Sequence, residues 1–259
     1  MLLAYFRYLS RARDEHALHS PFLFALYTQV IRAKTGSKAL FAPIRALRKE
    51  LRKSRQVITI ADYGAGSKVN ESRQRTVGDI ARNSQKTARF GRLLFRLIQR
   101  FEARNIVDLG TSLGMTTAYM AEATKVYGGH VLTFEGCPET AAVARQNFEQ
   151  LAIQNVAIVV GNLDETLAPQ LAALDSVDFV FFDANHRYEP TVRYFETCLA
   201  KIHNDTVFVF DDIHWSDEME QAWGYIKAHP AVSVTVDLFW VGLVFFRREQ
   251  PKQDFILRF

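Results

Sequence analysis

Two short stretches of the chain concentrate side chains that can move protons or hold cations. One reads Phe181-Phe182-Asp183-Ala184-Asn185-His186-Arg187-Tyr188-Glu189-Pro190, the other Val209-Phe210-Asp211-Asp212-Ile213-His214-Trp215. In each, an apolar run ends in carboxylates and a histidine follows within three residues. Carboxylates brought together repel one another unless a cation, a proton or hydrogen-bond donors intervene. Histidine titrates near neutrality, so His186 is the first candidate for a proton acceptor and His214 the second. A histidine held in place for structure gives the same local pattern. Asp183, Asp211 and Asp212 form a candidate ligand set for a hard divalent ion such as magnesium. His186, Arg187 and His214 could neutralise the same acids without a metal.

A second group of residues has the spacing of a small-molecule site. Val107-Asp108-Leu109-Gly110-Thr111-Ser112-Leu113-Gly114 is an acid-x-Gly-x-x-x-Gly pattern following an apolar run. Glycines let a backbone turn tightly and approach a ligand closely. The spacing differs from the dinucleotide fingerprint G-x-G-x-x-G. An acid aimed at a diphosphate would repel it, whereas an acid suits a cationic amine or sulfonium. Glu135, in Thr133-Phe134-Glu135-Gly136, follows Gly114 by 21 residues. An acid near that distance accepts the two hydroxyls of a ribose. Gly161-Asn162-Leu163-Asp164 follows a third apolar run, where an adenine edge meets a backbone amide or polar side chain. A plain turn is the alternative there.

The elements that must position these residues are legible from residue 105 onward. Candidate strands are Asn105–Leu109, His130–Phe134, Val156–Val160, Asp178–Phe182 and Thr206–Phe210. Candidate helices are Thr116–Thr124, Pro138–Leu151, Glu165–Ala173, Pro190–Ile202 and Asp217–Ala228. Short continuous apolar strands alternating with helices predict a parallel sheet covered on both faces. Val232–Leu238 and Val241–Arg247 are separated by Phe239-Trp240 alone, too close for a parallel crossover, so they pair as a hairpin or the second enters the sheet reversed. Ligands of such sheets bind beyond the carboxyl ends of the strands, where all the residues above fall.

The first 104 residues read differently. Residues 1–55 have helical patterning, with Ser20-Pro21 marking a helix start. Val57–Ile60 is a short β-prone run, and residues 86–103 read as an amphipathic helix. Residues 1–104 carry 22 Lys and Arg against 7 Asp and Glu, and the remainder 10 against 21. A basic segment can face nucleic acid, an anionic surface or an acidic partner, but helically spaced bases beside leucines also make ordinary solvated helix faces. Cys137 and Cys198 are too few for a disulfide framework, no apolar run reaches the ~18 residues of a membrane span, and no leader is evident. A cytoplasmic location is therefore expected, and a homodimer is compatible with the sequence.

The region 105–247 resembles the class I S-adenosylmethionine-dependent methyltransferases, and within them the catechol and caffeoyl-CoA type of O-methyltransferase. Asp108 to Gly114 is similar to the first motif of that class, and Glu135 to its ribose-binding acid. The resemblance implies a Rossmann-like α/β sheet over residues 105–259, mostly parallel with a reversed last strand, and a helical N-terminal extension over 1–104. It implies S-adenosylmethionine contacts from Asp108, Gly110, Thr111, Ser112, Gly114, Glu135, Gly136, Gly161, Asn162 and Asp183. Asp183 falls on an acid shared by cofactor and metal, and Asp211-Asp212 on an Asp-Asn metal pair whose Asn is here Asp212. His186 falls near the family's catalytic lysine, so Asp183, His186 and His214 are the expected catalytic group. The implied partner is a small-molecule acceptor of a methyl group on oxygen. Nucleic-acid methylation is the alternative suggested by the basic segment, although Asp183-Ala184-Asn185-His186 departs from the Asn/Asp-Pro-Pro-aromatic loop used on base amino groups. A non-catalytic cofactor-binding module is the third reading. Asp62-Tyr63-Gly64-Ala65-Gly66-Ser67 mimics the first motif, but no strand ending in an acid follows it before Asn105. It is expected to be a loop of the N-terminal cap near the active-site mouth, or a structural turn.

Overall fold

The computed structural model describes residues 2–34, 39–61, 74–83 and 85–259, so the Asp62–Ser67 loop lies outside the described residues. In chain order the strands are β1 (Val57–Thr59), β2 (Gln74–Thr76), β3 (Asn105–Leu109), β4 (His130–Glu135), β5 (Val156–Val160), β6 (Phe179–Phe182), β7 (Val207–Asp211), β8 (Val234–Asp237), β9 (Val241–Phe245) and β10 (Gln253–Ile256). The α-helices are α1 (Leu2–Arg11), α2 (Pro21–Ala25), α3 (Ala42–Leu51), α4 (Val77–Asn83), α5 (Ala88–Arg100), α6 (Met115–Thr124), α7 (Pro138–Gln150), α8 (Leu163–Ala172), α9 (Tyr188–Leu199) and α10 (Asp217–Ala228). The chain is α/β, with strands and helices alternating from residue 105 as the apolar runs predict. It divides into two compact units, Thr35–Ala172, and Met1–Lys34 with Ala173–Phe259.

In the Thr35–Ala172 unit, β3, β4 and β5 pair in parallel. Helices α6 and α7 are the crossovers, which parallel neighbours require. The register sets Asp108 beside Thr133 and Glu135 beside Val160, so the turns after all three strands open at the same end. Helix α5 forms because Thr87 caps it, its hydroxyl accepting from Phe90 N at 3.2 Å, and because Phe90, Leu93, Leu94, Leu97 and Ile98 fall on one buried stripe. A Cβ on Gly91 would stand 2.5 Å from the Tyr119 ring, so glycine is what lets α5 and α6 approach. The short β1 pairs antiparallel with β2.

In the other unit, β6 and β7 are parallel and α9 joins them. β9 runs antiparallel to both β7 and β8, which is the reversed strand expected from the two-residue Phe239-Trp240 connection. β10 lies parallel to β8 and was not expected. Its first two residues are exposed and its last two half-buried, so it has no buried apolar run to announce it. The Ser20-Pro21 helix start is present, with the Ser20 hydroxyl accepting from Leu23 N. After five residues α2 continues as a π-helical turn over Leu26–Ile31, which the sequence pattern does not show.

Candidate functional site

The first cluster belongs to the Thr35–Ala172 unit and is built on the turns after β3, β4 and β5. Gly110 has φ 127°, Gly114 φ 77° and Gly161 φ 142°, conformations that glycine adopts without steric cost. A Cβ on Gly114 would also meet the Phe148 ring at 2.6 Å. Ser112 takes φ 48° between the first two glycines. The β3 turn is tied down from several directions. Thr111 N donates to Phe134 O at 2.9 Å, Gly114 N to Thr111 O at 2.8 Å, and Asn147 Nδ2 to Leu113 O at 2.9 Å. Glu135 is partly exposed at the end of β4, and its two carboxylate oxygens accept from Ser112 N at 2.8 Å and Cys137 N at 2.9 Å. Glu135 thus joins the β3 turn to the start of α7 while offering a carboxylate at the strand end. Asn162 turns its Oδ1 toward Asp164 N at 3.1 Å and begins α8 in the manner of an Asx turn.

Asp108 sits differently from what its motif position suggests. It has no exposed surface, and its Oδ2 accepts from Thr117 Oγ1 at 2.6 Å and Thr133 Oγ1 at 2.8 Å. Burial pushes its carboxyl up to about 7, against the two threonine hydrogen bonds that lower it, with the Glu135 charge adding to the rise. Its Oδ1 has no hydrogen-bond partner among the described residues. An unpartnered buried carboxylate oxygen is complementary to a charged amine donor.

The second cluster belongs to the other unit. Phe182 and Phe210 are register partners on parallel β6 and β7, so Asp183 and Asp211 emerge side by side at the strand ends. Their rings stack beneath the acids with centroids 4.1 Å apart. The loop after β6 turns back through Asn185 at φ 51° and carries His186 to Asp183, with Nε2 3.6 Å from Oδ1. Asp183, His186 and Asp211 each place one donor atom within 4.8 Å of the others. Two carboxylates and an imidazole are a donor set that fits a divalent cation. Asn185 Oδ1 is buried in the same loop with no hydrogen-bond partner among the described residues. Its residue type alone did not mark it, because a turn asparagine is common; the orphaned amide oxygen does.

Two residues expected in this cluster stand apart from it. Asp212 does not join Asp183 and Asp211 in the donor group; His186 does. The reason is the backbone, because Asp212 takes φ 53° as its N–H donates to Trp240 O at 2.8 Å and its carbonyl accepts from Trp215 N at 2.9 Å. His214 is engaged at both ring nitrogens, Nε2 with Asp237 Oδ2 at 2.8 Å and Nδ1 with Glu220 Oε1 at 3.2 Å. It also stacks on Phe239 at 5.3 Å. Burial lowers its pKa, but the hydrogen bonds and charges of Asp237 and Glu220 outweigh this and raise it. An imidazole clamped between two carboxylates favours the protonated state and has no nitrogen left to take a substrate proton. His214 is thus held by two carboxylates outside the Asp183, His186 and Asp211 group.

Residues 107–213 match the family described as a methyltransferase domain. A catechol O-methyltransferase of Niastella koreensis is 33% identical over 126 residues, 48% of this chain and 55% of that protein. One from Mycobacterium tuberculosis is 32% identical over 128 residues, 49% of this chain and 56% of that protein. The chain spans about half the length of these curated relatives. Among solved structures, the O-methyltransferase from Bacillus cereus in complex with SAH aligns with a TM-score of 0.57 at 20% identity, covering 85% of this chain and 97% of that one. The O-methyltransferase TomG from Streptomyces achromogenes in complex with SAM aligns with 0.58 at 17% identity, covering 85% and 94%. The fold is that of the class I methyltransferases.

Proposed function

We propose that this protein transfers a methyl group from S-adenosylmethionine to an oxygen of a small molecule. The observation that carries the reading is the β3 turn locked to Glu135, placed within a region that matches a methyltransferase domain. Glu135, the acid at the end of β4, accepts the ribose hydroxyls. The turn glycines let the backbone approach the ligand, and the residues between them, Thr111 and Ser112, border it. Gly136, Gly161 and Asn162 line the adenosine end. Asp108, buried behind the β3 turn with Thr117 and Thr133, bounds the end of the site that takes the ligand's amine.

The acid–histidine cluster supplies the acceptor chemistry. An alcohol or phenol must lose its proton before oxygen attacks the methyl carbon, and a positioned base contributes roughly 10²–10⁴-fold. His186 takes that proton, and Asp183 orients the ring and stabilises the imidazolium that results. A divalent cation bound by Asp183, His186 and Asp211 would supply a different route to the same end, lowering the pKa of a hydroxyl. The acceptor is a small molecule because Asp183-Ala184-Asn185-His186 lacks the loop chemistry of base methylation. The N-terminal 104 residues act as a cap for the methyltransferase region that follows.

The deciding experiment uses His186→Ala and a panel of catechols, phenols and hydroxy acids with labelled S-adenosylmethionine. Turnover is expected to fall about 10²-fold or more while cofactor affinity and melting temperature stay near those of the parent. Normal turnover in the variant would remove His186 from the chemistry, and no product from any acceptor would remove the reading. Chelator treatment followed by magnesium or manganese titration separates the two routes. Activity that survives chelation assigns proton removal to His186 alone.

A further inference from the structure

Methyl transfer makes no use of the cation excess in the first 104 residues, yet the structure organises part of it. Helix α3 carries Arg45, Arg48 and Lys49, and its C-cap Arg52 and the next residue Lys53 continue the row, spaced i, i+3, i+4, i+7 and i+8. That spacing puts all five on one face, and Ile44, Leu47 and Leu51 bury the opposite one. At ~1.5 Å per residue the stripe is ~12 Å long. The five side chains line an open cavity of about 410 Å³ together with Ala88, the first residue of α5. The cavity therefore adds the positive N-terminal end of a thirteen-residue helix to five cations. Glu50, the one acid of α3, instead accepts from Gln150 Nε2 at 3.2 Å. Arg48 is fixed by donating to Gln85 O at 3.2 Å. Burial holds its guanidinium below the usual range, and Arg52 pushes the same way against Tyr119. Like charges three and four residues apart destabilise a helix, and a dense anion on this face reverses the sign of that interaction.

We propose that this face of α3 is a binding site for a compact, multiply phosphorylated ligand of the inorganic or nucleoside polyphosphate class. The volume is that of a small-molecule site. Arginine pairs phosphate oxygens bidentately and lysine adds point charge. Among the described residues no aromatic side chain lines the cavity to stack a base, which single-strand nucleic-acid sites rely on, so the phosphates are what is recognised. The site goes beyond methyl transfer and stands without it.

The test is calorimetric titration of inorganic tripolyphosphate into the full chain at low and raised salt. Saturable binding that weakens with salt is expected. Lys49→Glu/Lys53→Glu should weaken it about tenfold or more, and Arg45→Gln/Arg52→Gln, which keeps side-chain bulk, should do the same. Lys125→Glu/Lys227→Glu, on α10 and beyond α6, should leave it unchanged. S-adenosylmethionine affinity should be the parent's in every variant, so the result is independent of the methyl-transfer reading. Single-stranded RNA and phosphatidylserine vesicles are run in parallel. Absence of tripolyphosphate binding, equal binding by the α3 variants, or binding by RNA or vesicles alone would overturn the proposal.

Discussion

Asp108, Glu135 and His214 are the residues whose chemistry can be separated most cleanly. Glu135→Gln replaces one acceptor oxygen by an NH₂ group that must face either Ser112 N or Cys137 N. Charge-assisted hydrogen bonds contribute about 1.5–3 kcal/mol, so S-adenosylmethionine affinity should fall roughly tenfold or more, read by calorimetry. Unchanged affinity would take Glu135 out of the ribose site. The other two residues leave marks on stability against pH. Asp108 ionises at about 7 in the folded chain against an ordinary 3.8, so the native state binds the extra proton between those values and stability falls as pH rises through them. His214 is raised above 6.5, so its contribution is full below 6.5 and is lost as pH rises through its folded value. The two effects share a sign but occupy successive windows. Melting curves across pH should lose the lower slope in Asp108→Asn and the upper slope in His214→Gln. A parent profile that is flat above pH 6.5 would contradict the clamped, protonated His214.

At the scale of elements, the approach of α5 to α6 sets two local rules against each other. Intrinsic propensity favours alanine over glycine in a helix by ~1 kcal/mol. At Gly91 a new Cβ meets the Tyr119 ring at 2.5 Å, and overpacking costs ~1–3 kcal/mol. The steric effect should win, so Gly91→Ala is expected to destabilise in urea, and a second change, Tyr119→Leu, should recover part of the loss. A stabilised Gly91→Ala would show that the helices can part at little cost. The elements from residue 105 to β9 were legible because their strands are short, mostly apolar runs and their helices longer patterned ones. The Phe239-Trp240 spacing forced the antiparallel strand. Asp108 and Glu135 in one unit, and Asp183 and Asp211 in the other, were legible as strand-end acids, since within each unit the parallel register carries such positions to one end. Legibility stopped where backbone geometry decides partners. Nothing in the Asp211-Asp212 pair tells that a positive φ at Asp212 turns it into the Trp240 connection, or that His186 takes the third place. Likewise β10 and the π turn of Leu26–Ile31 depend on tertiary partners rather than on pattern.

At the scale of the molecule, the chain's two ends meet inside the Met1–Lys34 and Ala173–Phe259 unit. Tyr8 donates its hydroxyl to Leu257 O at 2.6 Å and accepts from Phe259 N at 3.2 Å, and burial raises its pKa to about 12. Arg13 N donates to Ile256 O at 2.9 Å, and Arg258 N to Arg13 O at 3.0 Å. Tyr8 and Ala12 also cover Phe239, whose ring lies 4.9 Å from Tyr5 and 5.3 Å from Tyr8. Phe239 in turn stacks on His214 and donates its N–H to Asp237 Oδ1 at 2.8 Å, on the same carboxylate that holds His214. The N-terminal helix is therefore mechanically connected to the histidine clamp. Removing residues 2–13 uncovers Phe239, a loss of about 1.5–3 kcal/mol for one large apolar side chain, and takes from Ile256 O, Leu257 O, Arg258 N and Phe259 N the partners that Tyr8 and Arg13 supply, while the pairing of β10 with β8 stays. A drop in stability of about 2–5 kcal/mol is expected, measured by urea unfolding of the truncated and full chains. The His214 resonance followed by NMR should then titrate nearer to 6.5, because a loosened Phe239 no longer fixes Asp237 against the ring. A truncated chain with the parent's stability and an unmoved His214 titration would show that α1 merely lies on this surface. The sum of the local contacts favours the tie, since the Tyr8 and Arg13 bonds span almost the whole chain and close it only in the folded state.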